Sequence, residues 1–497
     1  MKFVQNFPFF LILFFLFSGV LCSALKAKMA QKLTFFVLGT SIILSFFSFM
    51  DSIIREESYV YMMGHFPAPW GNEIRVGMLE TGYSLFFNLL MLLCVMGGLK
   101  KMIEEIEESK QNLYWTMICL IMSSMTVLIY TNDLFTSYVF IEINTIAATS
   151  LIVLRGNGHS IVAGMKYVMM SLIGSGMLLL AISMLYDLTG HLLMTPLRQS
   201  LEVLAKSDSY HIPFTVIIAL FCVGFAMKSA LYPFHTWLPE AYGYGTPSAS
   251  AILSSLVSKS YIFLLIKIFY RVIGMDIILT YHIQYLLFWF AIIGMMMGSI
   301  NAMKERDIRR MVAYSSVAQI GYLYMGIGFG TEAGIVASLF HILAHSSAKA
   351  LLFLSSSGLS SVSGNNKELT ALKGAGLRNP LAGIGFVVGA FSMIGIPMFT
   401  GFISKVYFAQ AALKATPIQM GVALVALAIS TMFNAIYFMR AILYFYSPKQ
   451  GNKSSAHYTN GIAFTISILC FVILNIALGF ASYYLILLLE KGILHFY

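Results

Sequence analysis

Residues 228–251 read KSALYPFHTWLPEAYGYGTPSASA, and both flanks are apolar enough for a lipid bilayer. The stretch carries Lys228, His235 and Glu240 together with Pro233, Pro239 and Pro247. Proline removes a backbone donor and clashes with the preceding helical turn. Broken backbone at membrane depth survives only where protein or a water-filled cavity satisfies it. The stretch therefore predicts a discontinuous membrane helix, broken at Pro233 and Pro239, with Lys228 beside a hydrated path. Residues 391–408, FSMIGIPMFTGFISKVYF, repeat the arrangement with Pro397 and Lys405. Duplicated interrupted helices mark the ion pathway in transporters.

Composition agrees with a membrane chain. Of 497 residues, 59% are hydrophobic and only 10% charged, against about 25% charged in soluble domains. Mean hydropathy is +0.81. Apolar runs of about 20 residues, enough to cross a bilayer as helix, give about 14 spans. They lie near 8–25, 33–51, 79–98, 113–131, 135–154, 162–186, 213–238, 247–270, 283–303, 311–330, 333–358, 381–411, 418–446 and 460–490. Strand alternation is absent, which argues against a β-barrel. The first span could be a signal peptide, but Gly19-Val20-Leu21 before Cys22 is a poor cleavage or lipidation context, so a retained span is expected. The two interrupted segments are the seventh and twelfth spans. Five-helix repeats over spans 4–8 and 9–13 are therefore expected. The expected division is 1–112 for three N-terminal helices, 113–271 and 283–446 for the two repeats, and 460–497 for the last helix.

The 31 Lys and Arg residues report orientation. Loops 1, 3, 5, 9, 11 and 13 hold 16 of them, while the even loops and both tails hold 8. By the positive-inside rule the odd loops are cytoplasmic and both termini lie on the outer side of the cell (inner) membrane. The net charge of +10 is thus a topology signal spread over short loops, and nucleic acid is not an expected partner.

Seven cations fall inside predicted spans: Lys166, Lys228, Lys259, Lys267, Lys349, Lys405 and Arg440. Of the 21 acids, only Glu142 lies well inside one. A charge at mid-membrane costs about 2.5–3.5 kcal/mol or more and is usually functional. Snorkelling to the headgroups accounts for Lys166 and Lys267 near span ends, and for Arg440. It fits Lys228, Lys259, Lys349 and Lys405 poorly. With His341 and His345 they form a row of single titratable groups. No carboxylate cluster holds a divalent metal, and no Glu or Cys completes a site at the two histidines. The histidine pair reads instead as hydrogen-bonded core or as part of the relay. The five cysteines, Cys22, Cys94, Cys119, Cys222 and Cys470, form no Cys-x-x-Cys pair, so no iron–sulfur or zinc site is expected. GIGFG at 326–330 follows no strand and is no nucleotide loop. No cofactor is expected, and any redox centre belongs to another subunit.

Such a row suits protons. Burial disfavours a charged amine, and a neighbouring carboxylate favours it. Separating and rejoining Glu142 and Lys228 would switch Lys228 between releasing and holding a proton. Lys259 and His345 could receive it, and Lys405 could pass it on.

Several blocks carry a resemblance: TNDLFTSYVFIEINTIAATSLIV, KSALYPFHTWLPEAYGYGTPSASAILSSLVSKS, KERDIRRMVAYSSVAQIGYLYMGIG, HILAHSSAKALLFLSSSGL and GIPMFTGFISK. In order, they resemble the antiporter-like proton-translocating subunits of respiratory complex I, membrane-bound hydrogenases and Mrp-type sodium/proton antiporters. The likeness runs from GHFPAPWGNEIRV at Gly64 to the thirteenth span. It implies an all-α polytopic fold of 14 helices with two inverted five-helix repeats, helices 7 and 12 being broken. Glu142 resembles the family's fifth-span glutamate, Lys228 its seventh-span lysine and Lys259 its central eighth-span lysine. His345 and Lys349 resemble the eleventh-span relay, with His341 one turn earlier, and Lys405 the distal twelfth-span residue. Departures are Gly77 where Asp is usual, Tyr242 in place of a histidine, and Lys267 where many relatives have arginine. No residues follow Tyr497, so a member without a long lateral helix is expected.

The expected function is proton translocation within a multisubunit redox-driven membrane complex. Redox and hydrolytic chemistry are not expected on this chain. The alternative is a subunit of an Mrp-type antiporter, with sodium as well as protons as cargo. A passive scaffold would need its buried cations paired, which one acid cannot do. A stand-alone solute carrier would need polar groups to recognise an organic substrate, and few are present beyond the broken helices.

Overall fold

The computed structural model describes residues 3–66, 71–206, 210–448, 460–494 and 496. Lys2, Lys449 and Lys453 of the charge count, residues 67–70 of the Gly64 block and Tyr497 lie outside them.

The chain is built almost wholly of helices, because in a bilayer only a helix or a closed barrel satisfies its own backbone. Helices α1 (Phe7–Ala24), α2 (Ala27–Arg55) and α3 (Met78–Glu105) come first. Between α2 and α3 sits a small antiparallel hairpin that the sequence reading does not foresee, β1 (Tyr59–Met62) and β2 (Glu73–Val76), with Tyr59 opposite Val76. Next come α4 (Gln111–Tyr130), α5 (Leu134–Val153) and α6 (Gly158–Thr189). The amphipathic α7 (Met194–Leu204) follows and buries Met194, Leu197 and Leu201. Helix α8 (His211–Ser229) makes up most of the seventh span, and the short α9 (Leu238–Tyr244) follows the break. The eighth span runs as α10 (Pro247–Ile252), a π-helical turn at Leu253–Val257, α11 (Ser258–Ile268) and a second π turn at Phe269–Ile273. The short α12 (Met275–Thr280) leads to α13 (Ile283–Lys304), α14 (Ile308–Gly328) and α15 (Glu332–Ser361). After α16 (Ala375–Arg378), α17 (Pro380–Ile394) and α18 (Thr400–Ala412) form the broken twelfth span. Helices α19 (Pro417–Tyr446), α20 (Ile462–Phe480) and α21 (Ser482–Leu494) close the chain.

Among the described residues, 12 helices are long and apolar enough to cross a membrane. Helix α14, diluted by serines, Gln319 and tyrosines, and the broken α17–α18 pair bring the spans to the expected number. Helix starts follow local chemistry. Asp133, Asn157, Asp307 and Thr331 each accept a backbone N–H in the first turn of α5, α6, α14 and α15. Thr416 and Gln419 make a reciprocal capping box on α19.

The breaks are where the sequence places them, with one adjustment. Helix α8 ends on Ala230 in left-handed conformation (φ 64°), and Pro233 lies in the turn that follows. Helix α17 ends on Gly395 (φ 87°), and Met398 (φ 80°) follows Pro397 in the turn. Pro239, by contrast, stands in the first turn of α9 rather than in the break. There its missing N–H costs nothing and its fixed φ favours the helix.

Burial sorts the helices. The membrane windows of α15 and of the Pro247–Ile273 segment are wholly buried, whereas those of α1, α2, α6, α19 and α20 are mostly outward-facing. These two central helices carry Lys259, His341, His345 and Lys349.

Candidate functional site

The polar row begins on α5. Glu142 lies one turn before Thr145, and its side chain is 22% exposed. Lys228 on α8 is buried; its Nζ lies 3.7 Å from Glu142 Oε1 and donates to Thr145 Oγ1 at 2.6 Å. The amine also lies 5.9 Å from the centre of the Tyr261 ring. The break one residue beyond α8 strips carbonyls of their helical partners, and Trp237 Nε1 donates to one of them, Met227 O, at 3.2 Å.

Lys259 follows the π turn of the eighth span. Its Nζ donates to Ser254 O and, at 3.1 Å, to Ser258 Oγ. A π turn leaves the α-helical hydrogen-bond pattern, and the lysine takes up a carbonyl within it. Ser254 Oγ lies 3.2 Å from Ser316 Oγ on α14.

On α15, His341 and His345 stack with ring centres 5.6 Å apart and planes 3° apart. His341 Nδ1 shares a 2.7 Å hydrogen bond with Ser404 Oγ of α18, and Tyr322 of α14 stacks on its ring at 5.7 Å. Lys349, one turn after His345, donates to Val312 O at 2.9 Å and to Ser315 Oγ.

Lys405 stands at the second break. Its Nζ donates to Ile394 O, at the C-terminus of α17, at 2.7 Å, and to Thr431 Oγ1 of α19 at 2.8 Å. A cation at the carbonyl end of a helix is favoured by the helix dipole. The same amine is 5.7 Å from the Tyr322 ring centre.

The candidate residues thus occupy one central row, but they are not in direct contact throughout. Among the described residues no direct hydrogen bond joins Lys228 to Lys259, Lys259 to His345, or Lys349 to Lys405. The helices that carry the row, and α14 beside them, also hold buried polar atoms without protein partners, including both His345 ring nitrogens and both amide atoms of Gln319. Buried polar groups are rarely left unpaired, and waters making two to four hydrogen bonds are their usual partners.

Three charged residues differ from the sequence reading. Lys267 is buried and does not snorkel; its amine donates to the carbonyls of Leu128, Ile129 and Thr131 at the C-terminus of α4. Arg271, assigned to a loop, lies buried in the second π turn and pairs with Glu80 of α3, an acid that hydropathy places at a span end. Arg271 Nε also donates to Phe496 O at 2.7 Å. Lys166 is exposed and pairs with Glu240 at 2.7 Å, and Arg440 donates to Met303 O and Glu305 O at a span end.

Thr145, Ser254, Ser315, Ser404, Thr431 and Tyr322 hold the row, and sequence reasoning misses them as site residues. Their one signal is the density of serine in SASAILSSLVSKS and AYSSVAQ, unusual for spans this apolar.

Residues 131–433 match the family described as NADH:quinone oxidoreductase/Mrp antiporter, TM. The chain belongs to that family. Every position of the row from Glu142 to Lys405 falls inside the matched residues. The chain is 33% identical over 396 residues to NADH-quinone oxidoreductase subunit N of Desulforudis audaxviator, covering 79% of this chain and 76% of that one. It is 27% identical over 425 residues to a Na(+)/H(+) antiporter subunit of Alkalihalophilus pseudofirmus, covering 85% and 83%. Its fold matches a chain of the membrane-bound sulfane sulfur reductase, an archaeal respiratory membrane complex, with TM-score 0.88 at 22% identity over 100% of this chain and 98% of that one. Family and fold together make this a multi-pass, antiporter-like membrane protein.

Proposed function

We propose that the chain moves protons across the membrane as one subunit of a multisubunit, redox-driven complex. The observation that carries the reading is the row itself: three buried lysines, the half-buried Lys405 and two buried histidines across the fold, with a carboxylate 3.7 Å from the first lysine. Glu142 and Lys228 are the gate. While they are close, the carboxylate favours the charged amine; when Lys228 turns away, burial favours release. Lys259, His345 and Lys349 receive the proton in turn, His341 links them to α18, and Lys405 delivers it at the second break. The driving redox chemistry belongs to partner subunits, and Glu142, still partly exposed on a membrane helix, fits a position beside one of them.

The chain sits in the cell (inner) membrane in this reading, and the lysine and arginine count supports an orientation with odd loops cytoplasmic and both termini outside. A second reading, a subunit of a sodium/proton antiporter complex, is favoured by the resemblance to the Alkalihalophilus protein. The test is the purified complex in liposomes with Lys259→Ala. Loss of proton uptake, with redox turnover retained under uncoupled conditions, is the expected result; uptake equal to the parent refutes the relay. Proton movement that requires sodium selects the second reading.

A further inference from the structure

Gln319 is a costly residue with no evident structural purpose. It sits on α14, is 1% exposed, and neither its amide oxygen nor its amide nitrogen has a protein partner. A primary amide offers two donors and an acceptor, and leaving such groups unsatisfied costs about 1–3 kcal/mol each. A leucine of similar volume would avoid that cost.

The position explains the amide. On a helix, residues three and four apart share a face. Ser315, four residues earlier, accepts from Lys349. Ser316, three residues earlier, meets Ser254, whose carbonyl holds Lys259. Tyr322, three residues later, stacks on His341 and lies 5.7 Å from Lys405 Nζ. Gln319 is therefore one turn from the groups that hold Lys259 and Lys349, and one turn from the ring between His341 and Lys405. It sits where the row lacks a direct hydrogen bond. Helix α15, packed against α14, brings further unpartnered atoms: both ring nitrogens of His345 and Nε2 of His341.

We propose that Gln319 is a positioning residue of the proton path, whose amide orients the ordered water that joins Lys349 and His345 to Lys405. The inference rests on the relay reading above. An amide can donate to one water and accept from the next, fixing the direction of the chain of hydrogen bonds without taking a proton itself. That role differs from those of the lysines and histidines, which carry the charge.

The test uses the whole complex in liposomes with Gln319→Leu, Gln319→Asn and, as control, Lys259→Ala. Gln319→Leu is expected to assemble, to keep uncoupled redox turnover, and to lose at least about tenfold in proton uptake, the rate equivalent of one lost hydrogen bond. Gln319→Asn, which keeps the amide, is expected to recover most of that loss, a rescue that a space-filling role would not produce. A map at water-resolving detail is expected to place water on the Gln319 amide in the parent and to lose it in Gln319→Leu. Parental uptake by Gln319→Leu, with Lys259→Ala inactive, overturns the Gln319 inference alone. Parental uptake by both removes the relay and this inference with it. Should Gln319→Leu not assemble, the parent map decides: a protein group rather than water on the amide overturns the proposal.

Discussion

Lys228 Nζ stands 3.7 Å from Glu142 Oε1 but makes its short hydrogen bond, 2.6 Å, to Thr145 Oγ1. The carboxylate and the hydroxyl lie three residues apart on α5, so one amine faces both from a single position. Holding the lysine chiefly by a neutral hydroxyl leaves the ion pair free to lengthen without stranding the amine.

Glu142→Gln keeps the shape and removes the charge. Lys228 then loses its electrostatic partner, and the gate stays in one state. The complex is expected to assemble with near-normal uncoupled redox turnover and proton uptake reduced at least about tenfold. Liposome uptake matching the parent would sink the gate.

Lys259→Arg separates charge from proton exchange. Arginine keeps the cation but stays protonated at any physiological pH. Proton uptake is expected to fail as fully as in Lys259→Ala, although the positive charge remains. A pumping Lys259→Arg complex would mean the position needs only charge.

Orientation can be read with fused reporters. A reporter after Tyr497 is expected to read outside, and one in the connection at 305–307, within KERDIRR, to read cytoplasmic. The opposite pattern would reverse the sidedness derived from the loop charges.

The Glu80–Arg271 pair predicts a stability effect distinct from transport. Both side chains are buried, and Arg271 also lies 4.3 Å from the Phe496 ring centre. Removing one partner strands the other, at a cost of about 3–5 kcal/mol. Glu80→Ala is expected to lower the apparent Tm strongly, and Glu80→Leu/Arg271→Met to lower it much less. Equal losses in the two variants would show that the pairing is not what matters.

Lys367 gives a pH dependence outside the membrane. It lies in the loop after α15 and donates to Gly243 O at 2.8 Å. Burial and then the nearby Arg309 cation push its amine from the usual 10.5 down to about 7, against an upward pull from Asp307. Between those values the unfolded chain binds more protons, so this group makes stability rise with pH. Below about pH 7 the amine is charged in both states and the penalty is constant. Lys367→Met removes it. The variant's Tm advantage over the parent is expected to be largest at or below pH 7 and to shrink toward pH 10.5. A Tm difference independent of pH would refute this.

The two breaks and the lysine row were legible in sequence for one reason. Proline and charge are both expensive at membrane depth, so each stands out against an apolar background. Partners that cost little left no such mark. Nothing in the sequence announces that Lys267 caps the carbonyls of α4, because any helix end offers carbonyls. Glu80 and Arg271 each sit near a predicted span end, where a charge needs no explanation; only the fold brings them together in the interior. Gln319 and the serines carry no charge, and hydropathy counts them as mild dilution. The hairpin of β1 and β2 is too short to produce a pattern of its own.

Helix α15 has every residue from Gly334 to Ser360 buried. The helix that bears both histidines and Lys349 therefore has no contact with the hydrocarbon around the protein. Changes in bilayer thickness or fatty-acid composition reach it only after passing through the outer helices, whose surfaces absorb them. This helix is shielded from the lipid in which the protein floats, whereas Glu142 on α5 and Lys405 on α18 are less enclosed, so remodelling of the lipids reaches the ends of the row before its middle. Drift in the sequence of α15 is correspondingly judged by its helical neighbours alone.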